Sequence, residues 1–447
     1  MKLAIIGGVA GGPSAAAKAK RINPNLEITV FEKSGHVSFA PCGLPYVIGG
    51  EIPDFNTLVA RTPEAFAQQG IQMRTWHEVV NVDHANRQLE VRDHLGHRSF
   101  SERFDKLLIA TGASPVRPNL PGIDLENIFT LRNIEDGIAI QRAIANLIKQ
   151  PQHPRVVIVG GGYIGLEMAE AFVKRGLQVT ILEQLPRLLG TVDPEIAALA
   201  LEEVKRHGVE VSLETHVTGF SGDGQVRKVL TSHGEIETDM VLLALGVRPN
   251  SGLAKSFGVE LTPFGSVQVN TRLETNLPGV YAAGDVTEVH HLVSGRHAYI
   301  PLGDTANKQG RIAGTNIAGG NENFSGVVGS AISKVFDIGV GLTGIGELEA
   351  AMFDIEAKAV TIHAHDHAAY YPDKKPLTLK LIYVPSSGKL LGAQIVGHGD
   401  AVKRIDVIAA LLHSGGTLEH LSNLDLAYAP PFAPVWDALQ IAANQAL

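Results

Sequence analysis

An α/β chain built on two dinucleotide-binding units is predicted by three observations. Two short apolar runs each end in a glycine-rich turn, Ile5-Ile6-Gly7-Gly8-Val9-Ala10-Gly11-Gly12 and Val159-Gly160-Gly161-Gly162-Tyr163-Ile164-Gly165. Each turn is followed by a helical stretch and a second apolar run that closes on a glutamate, Glu32 or Glu183. The third observation is the alternating segment Leu377-Thr378-Leu379-Lys380-Leu381-Ile382-Tyr383. Its period of two marks an antiparallel sheet, and so a separate α+β domain at the C-terminal end.

In chain order, the first unit reads strand 2–6, glycine turn, helix 14–21 and strand 26–31, a βαβ of the usual length. Leu107-Leu108-Ile109-Ala110-Thr111-Gly112-Ala113 is a buried-strand run stopped by Thr-Gly. Pro151-Gln152-His153-Pro154 punctuates the chain before a new strand and predicts a domain boundary there. The second unit reads strand 155–159, turn, helix 165–175 and strand 178–182, and closes near Met240-Val241-Leu242-Leu243-Ala244-Leu245-Gly246. Gly279-Val280-Tyr281-Ala282-Ala283-Gly284-Asp285 suggests a return to the first unit, so the two are interleaved. A helix is expected over 401–412.

The bulk composition narrows the partners. With 447 residues the chain has room for two to four domains at roughly 150 residues each. A formal net charge of −8 argues against a nucleic-acid surface. No run approaches the ~18 apolar residues of a membrane span, and the N-terminus reads as a strand rather than a signal peptide. One cysteine excludes a disulfide scaffold and fits a reducing cytoplasm.

In a dinucleotide turn one glycine makes the bend, a second admits the pyrophosphate and a third lets helix pack on strand. Gly160, Gly162 and Gly165 have this spacing, whereas Val9 stands at the middle position between Gly7 and Gly12, flanked by Gly8 and Gly11. The glutamate closing each unit is placed to accept the ribose hydroxyls and to repel a 2′-phosphate. Glu183 therefore favours NADH, with NADPH left open by the nearby Arg187. The lone cysteine lies in Ser38-Phe39-Ala40-Pro41-Cys42-Gly43-Leu44-Pro45-Tyr46. Flanking Pro and Gly suit a sharp turn into a helix, which predicts an exposed thiol activated by a lowered pKa. Without a second cysteine, its redox partner must come from the substrate or from oxygen chemistry.

Together these motifs resemble the single-cysteine branch of the FAD- and pyridine-nucleotide-dependent disulfide oxidoreductases. Within it they are most similar to the coenzyme A disulfide reductases, beside NADH oxidases, NADH peroxidases and polysulfide reductases. The resemblance spans the whole chain and implies four segments: an FAD-binding domain over 1–150 and 276–323, an NAD-binding domain over 151–275 and a dimerisation domain over 324–447. It places FAD on Gly7, Gly8, Ala10, Gly11, Gly12, Glu32, Lys33, Ala110, Thr111, Gly112, Gly284, Asp285 and Ala306. NADH falls to Gly160, Gly162, Tyr163, Ile164, Gly165, Glu183 and Gly246. Catalysis is implied at Cys42, at Glu167 near the meeting of nicotinamide and flavin, and at Tyr428, brought into the partner subunit's site by the segment Tyr428-Ala429-Pro430-Pro431-Phe432.

The implied substrate is coenzyme A disulfide, with coenzyme A held as a mixed disulfide and met by Lys18, Arg21, Ser38, Arg61 and Tyr370 or Tyr371. Two departures matter. Reductases of this kind carry Asn where this chain has Pro41, and oxidases and peroxidases carry a histidine in the first glycine turn, where Gly8-Val9-Ala10-Gly11 has no ionisable group. An NADH oxidase is the alternative enzyme, and a redox carrier or sensor flavoprotein the alternative of another class, though no charged docking strip supports the latter. His363-Ala364-His365-Asp366-His367 reads as a solvated strand face, so no metal is expected.

Overall fold

The computed structural model describes residues 1–149 and 153–447. Its first sheet is parallel, in the order Val280–Ala282, Lys106–Ile109, Lys2–Ile6, Glu27–Glu32, Ile71–Thr75. Leu3, Ala4, Ile5 and Ile6 are all buried, as strands covered on both faces must be. Two helices, Gly11–Ile22 and Gly303–Ile317, lie against each other on this sheet. Their approach needs glycine: a Cβ on Gly310 would stand 2.3 Å from the Gly11 carbonyl, and one on Gly314 2.4 Å from that of Ala15.

The second sheet repeats the plan, in the order Glu210–Ser212, Gln178–Leu182, Arg155–Val159, Met240–Leu243, Ile128–Phe129, again parallel. A three-stranded antiparallel meander accompanies each parallel sheet, His77–Asp83 to Arg98–Arg103 with the first and Val217–Ser221 to Gly234–Glu237 with the second.

Two domain limits differ from the sequence reading. The break at 150/151 falls outside the described residues, but Ile128–Phe129 already pairs with Met240–Leu243. Helix Ile134–Leu147 packs its Ile140 and Ile144 with Val156 and Ile158. The second unit therefore begins before residue 128. At the other limit, Ala254, Val259 and Val267 join the core of Ala4, Ile6 and Phe31, so the first unit resumes near 251 rather than 276.

The C-terminal domain is an antiparallel sheet ordered Ala331–Val335, Ile338–Gly344, Leu390–His398, Pro376–Tyr383, Lys358–His365. Helices Ile405–His413 and Ala438–Ala446 pack on it, the former preceded by a 3₁₀ turn, Gly399–Arg404, where a continuous helix was expected.

Three ion-pair clusters join this domain to the second unit. Buried Lys380 meets Asp193 at 2.8 Å, Glu347 at 2.5 Å and Glu195. Buried Glu170 accepts from Lys174 at 2.7 Å, from the Phe336 amide at 3.1 Å and from Lys334. Arg206 bridges Glu203 and Asp337 at 2.8 and 2.6 Å. Lys174 also reaches Glu51 at 2.7 Å, which ties in the segment after Cys42.

Candidate active site

Each parallel sheet carries the same cradle at the carboxyl end of its first strand. Gly7 and Gly160 have φ of +111° and +112°, and a Cβ there would stand 2.0 Å from the Ala110 carbonyl and 2.4 Å from that of Ala244. Only glycine combines that backbone with that approach. Five residues on, a Cβ at Gly12 or Gly165 would lie 2.0 or 2.1 Å from the carbonyl of Gly7 or Gly160, so the helix sits directly on the turn.

The closing glutamates turn inward. Glu32 accepts from the Gly8 amide at 2.8 Å and from Ser34, while Glu183 accepts from the Gly161 amide at 2.7 Å and the Leu185 amide at 2.8 Å. Each carboxylate thus fixes the turn it was expected to complement, and keeps lone pairs for a ribose. Arg187 is held by the carbonyls of Gly190 and Val192, at 3.0 and 3.2 Å.

Helix caps show what these turns can hold. Helices starting after Asn133, Thr417 and Asp437 have their first amides capped by those side chains. Helices Gly11–Ile22 and Tyr163–Lys174 begin after Ala10 and Gly162 with no side-chain cap and no acidic residue in the first turn. Gly162 faces open space, with nothing within 4 Å of a Cβ built on it. Bare amides, a positive helix end and a hollow a methyl group would fill suit a pyrophosphate, so FAD and NAD(P)H fit these turns.

The remaining cofactor candidates border the cradles. Ala110-Thr111-Gly112 and Ala244-Leu245-Gly246 repeat one another, with φ of +66° at Gly112 and +83° at Gly246. Asn250 spans the two units, donating to the Thr111 carbonyl at 2.9 Å and accepting from Ser114 at 2.8 Å. Gly284 packs on Ala306 and donates to buried Gln309 at 2.7 Å. Asp285 pairs with Arg132 at 2.8 Å. Lys33 and Ile164 are exposed, and the Tyr163 hydroxyl meets Thr191 at 2.9 Å.

Cys42 lies in a 3₁₀ turn, Pro41–Gly43, that runs into helix Leu44–Gly49, and it is exposed as the flanking residues predicted. The expected activation is not found. Desolvation by the surrounding chain, then Glu167, pushes the thiol pKa up, and Asp285 adds to this while Arg132 opposes it. Glu167, half-buried on helix Tyr163–Lys174, is raised to about 7 by desolvation, with a smaller push from Glu170. The Tyr46 hydroxyl donates to its Oε1 at 3.5 Å.

Ser38 takes a left-handed φ of +47°. Its amide donates to the Gly8 carbonyl, its carbonyl accepts from Ala60, and Phe39 bridges to Val59. This brings Arg61, stacked on Phe66, beside the redox loop. Arg21 is exposed on the first helix, and Lys18 lies 4.0 Å from Glu322. In the C-terminal domain the hydroxyls of Tyr370 and Tyr428 are 3.4 Å apart, whereas Tyr371 packs edge-on against His367. His363 contacts Thr378 across the sheet, whereas Asp366 and His367, past the end of the strand, contact each other. Arg132 and the Tyr46 contact escaped the sequence reading, since neither carries a motif signal for its partner.

These paired cradles flanking a single thiol define a flavin- and nicotinamide-dependent oxidoreductase. The chain belongs to the pyridine nucleotide-disulphide oxidoreductases, whose model matches residues 1–310 and whose dimerisation-domain model matches 330–439. It is 40% identical over 446 residues to the NAD(P)H coenzyme A polysulfide/persulfide reductase of Pyrococcus horikoshii, covering 99% of this chain and 98% of that one. It is 35% identical to the NADH oxidase of Methanocaldococcus jannaschii and 33% to the coenzyme A disulfide reductase of Staphylococcus aureus, covering 100% of this chain and 99% of each. Among solved structures, the NAD-dependent persulfide reductase of A. fulgidus matches with a TM-score of 0.96 at 34% identity, over 100% of this chain and 83% of that one. The family uses FAD and NAD(P)H, and its dimerisation domain points to a homodimer. No helix among the described residues is long and apolar enough to cross a membrane.

Proposed function

We propose that this chain reduces coenzyme A disulfide or a related low-molecular-weight disulfide, persulfide or polysulfide, with Cys42 as the redox thiol. The observation that carries this reading is one exposed thiol, at the head of a helix packed on the second nucleotide helix, in a chain with no second cysteine. Names borne by similar proteins, the coenzyme A polysulfide/persulfide reductase above all, support the same substrate class.

Gly7, Gly8, Ala10, Gly11, Gly12, Glu32, Lys33, Ala110, Thr111, Gly112, Gly284, Asp285 and Ala306 would hold FAD, and Gly160, Gly162, Tyr163, Ile164, Gly165, Glu183 and Gly246 the nicotinamide nucleotide. Bound FAD supplies a carrier that takes up a hydride equivalent and gives up its electrons in pairs. The Cys42 thiolate attacks R–S–S–R, forming the Cys42–S–S–R bond and expelling R–S⁻. Two electrons then cleave that bond into the Cys42 thiolate and a second R–S⁻. In this reading Tyr428 of the partner subunit would protonate the departing thiolate; within one chain its hydroxyl lies 3.4 Å from that of Tyr370. Lys18, Arg21 and Arg61 answer the phosphates of a coenzyme A substrate and Ser38 also meets it, while Pro41, in the place of an asparagine, supplies no side-chain amide to the pantetheine arm.

Cys42→Ser tests the reading: NADH should still bleach the bound flavin, while reduction of coenzyme A disulfide should vanish. Intact mass of native protein with and without reductant should show one reducible coenzyme A per chain. Near-wild-type disulfide reduction by the variant would refute the mechanism. An NADH oxidase remains the second reading, supported by the M. jannaschii relative. The absence of an ionisable group in residues 8–11 weighs against it.

A further inference from the structure

We propose that Gln309 is the positioning residue that sets the Gly284-Asp285 turn to receive the flavin cofactor. This rests on that turn holding FAD.

A turn binds its ligand more tightly when its shape is fixed beforehand. Gly284 has a φ of +84°, outside helix and strand, and its amide proton goes to a side chain: Gln309 Oε1 accepts it at 2.7 Å. The Thr287 hydroxyl lies 2.9 Å from the Gly284 carbonyl and 3.2 Å from the same Oε1. Gln309 is 1% exposed on helix Gly303–Ile317, one turn after Ala306, which packs on Gly284. Its neighbour Gly310 sits against the Gly11 carbonyl, so the glutamine reaches the turn from the helix that also packs on the first glycine turn. Asp285, next along, is held at its carbonyl by the Tyr299 hydroxyl and at its carboxylate by Arg132, each at 2.8 Å.

The other end of the amide carries the inference. Because an N–H must meet an oxygen, Oε1 faces Gly284 and the amide cannot be turned round. Nε2 is then left buried, with no acceptor among the described residues. A buried donor without a partner costs stability, and a side chain kept only to fill this space would carry none. Methionine would exchange the unpaired Nε2 for an unpaired Gly284 amide. The fold stands to lose little by that exchange, whereas the turn loses its bond at Gly284.

Two measurements on the holoenzyme test this. FAD release on dilution, followed by the fluorescence of the freed flavin, should be roughly three- to tenfold faster in Gln309→Met, the worth of one neutral hydrogen bond. Hydrogen exchange read by mass spectrometry in excess FAD should quicken in peptides covering 280–287 and stay at wild type in those covering 305–317. Gln309→Glu keeps an acceptor of the same reach and should leave exchange at 280–287 near wild type. Unchanged FAD release in Gln309→Met overturns the proposal. So does exchange that quickens equally over 280–287 and 305–317, which would mean a loosened helix rather than a loosened turn. Equal loss of protection in Gln309→Glu and Gln309→Met overturns the role of the acceptor. Asp285→Ala tests the premise separately: wild-type FAD release there removes the turn from the FAD site. Neither measurement needs disulfide turnover, so the reduction assigned to Cys42 stands or falls on its own.

Discussion

Gly162 and Gly165 stand three residues apart in one turn, yet alanine at each should break a different property. At Gly162 the backbone is extended (φ −82°, ψ −171°) and a Cβ meets nothing within 4 Å, so the chain can accept it without strain. Alanine restricts the unfolded chain, a gain of about 0.4–1 kcal/mol. It is also a poorer N-cap than glycine, a loss of about 0.5–1 kcal/mol. The two offset, and the melting temperature should hardly move. The methyl group instead fills the hollow where a pyrophosphate would rest on bare amides. Losing the equivalent of one charge-assisted hydrogen bond, about 2–3 kcal/mol, weakens NADH roughly 30- to 150-fold. At Gly165 the same methyl lands 2.1 Å from the Gly160 carbonyl oxygen and 3.2 Å from its carbon, backbone that cannot swing away as a side chain could. Overpacking of that kind costs about 1–3 kcal/mol, so Gly165→Ala should melt several degrees lower. The assays are thermal unfolding by circular dichroism and NADH titration of flavin bleaching. Wild-type NADH affinity in Gly162→Ala, with flavin content unchanged, would refute the assignment of this turn to the nicotinamide nucleotide.

Three further outcomes follow from the same geometry. Glu183→Ala should lower kcat/KM for NADH more than it raises that for NADPH, because Arg187 is held by Gly190 and Val192 and is not freed by the change; an unchanged ratio of the two would discard the ribose role. Lys380→Met leaves Asp193, 1% exposed, with only the Glu347 and Leu348 amides and the Gln394 contact at its own amide, so a loss near 3 kcal/mol is expected in urea unfolding. A loss below about 1 kcal/mol would mean the ammonium is not the counter-charge. Tyr428→Phe should slow disulfide turnover about 10²-fold or more while flavin reduction by NADH is unchanged. Heterodimers of Cys42→Ser and Tyr428→Phe subunits should regain one working site, and none would place Tyr428 outside a shared site.

Much of this was legible because glycine turns are local. Gly7, Gly12, Gly160 and Gly165 are demanded by the backbone itself, and their spacing can be read without knowing what surrounds them. Cys42 was legible as an exposed turn residue for the same reason. Its proton affinity was not, because Glu167, Arg132 and Asp285 arrive from 125, 90 and 243 residues away (167 − 42, 132 − 42, 285 − 42). The domain limits failed on Ile128–Phe129, a two-residue strand defined only by its pairing with Met240–Leu243. Gly11-Gly12-Pro13 read as loop, yet it forms the first turn of its helix, where proline's missing N–H has no partner to lose. Lys380 occupied a polar place in an alternating strand and became the most buried cation described, because its three carboxylates come from other elements.

The clusters at Lys380, Glu170 and Arg206 have a mechanical consequence. A clamshell motion of the second unit against the C-terminal domain would have to break all three together, each at a buried charge (Lys380, Glu170 and Glu203). The nicotinamide cradle is therefore mounted rigidly on the same frame that joins the two subunits. Admission of nucleotide and substrate then falls to loops and side chains rather than to a swing of the whole second unit.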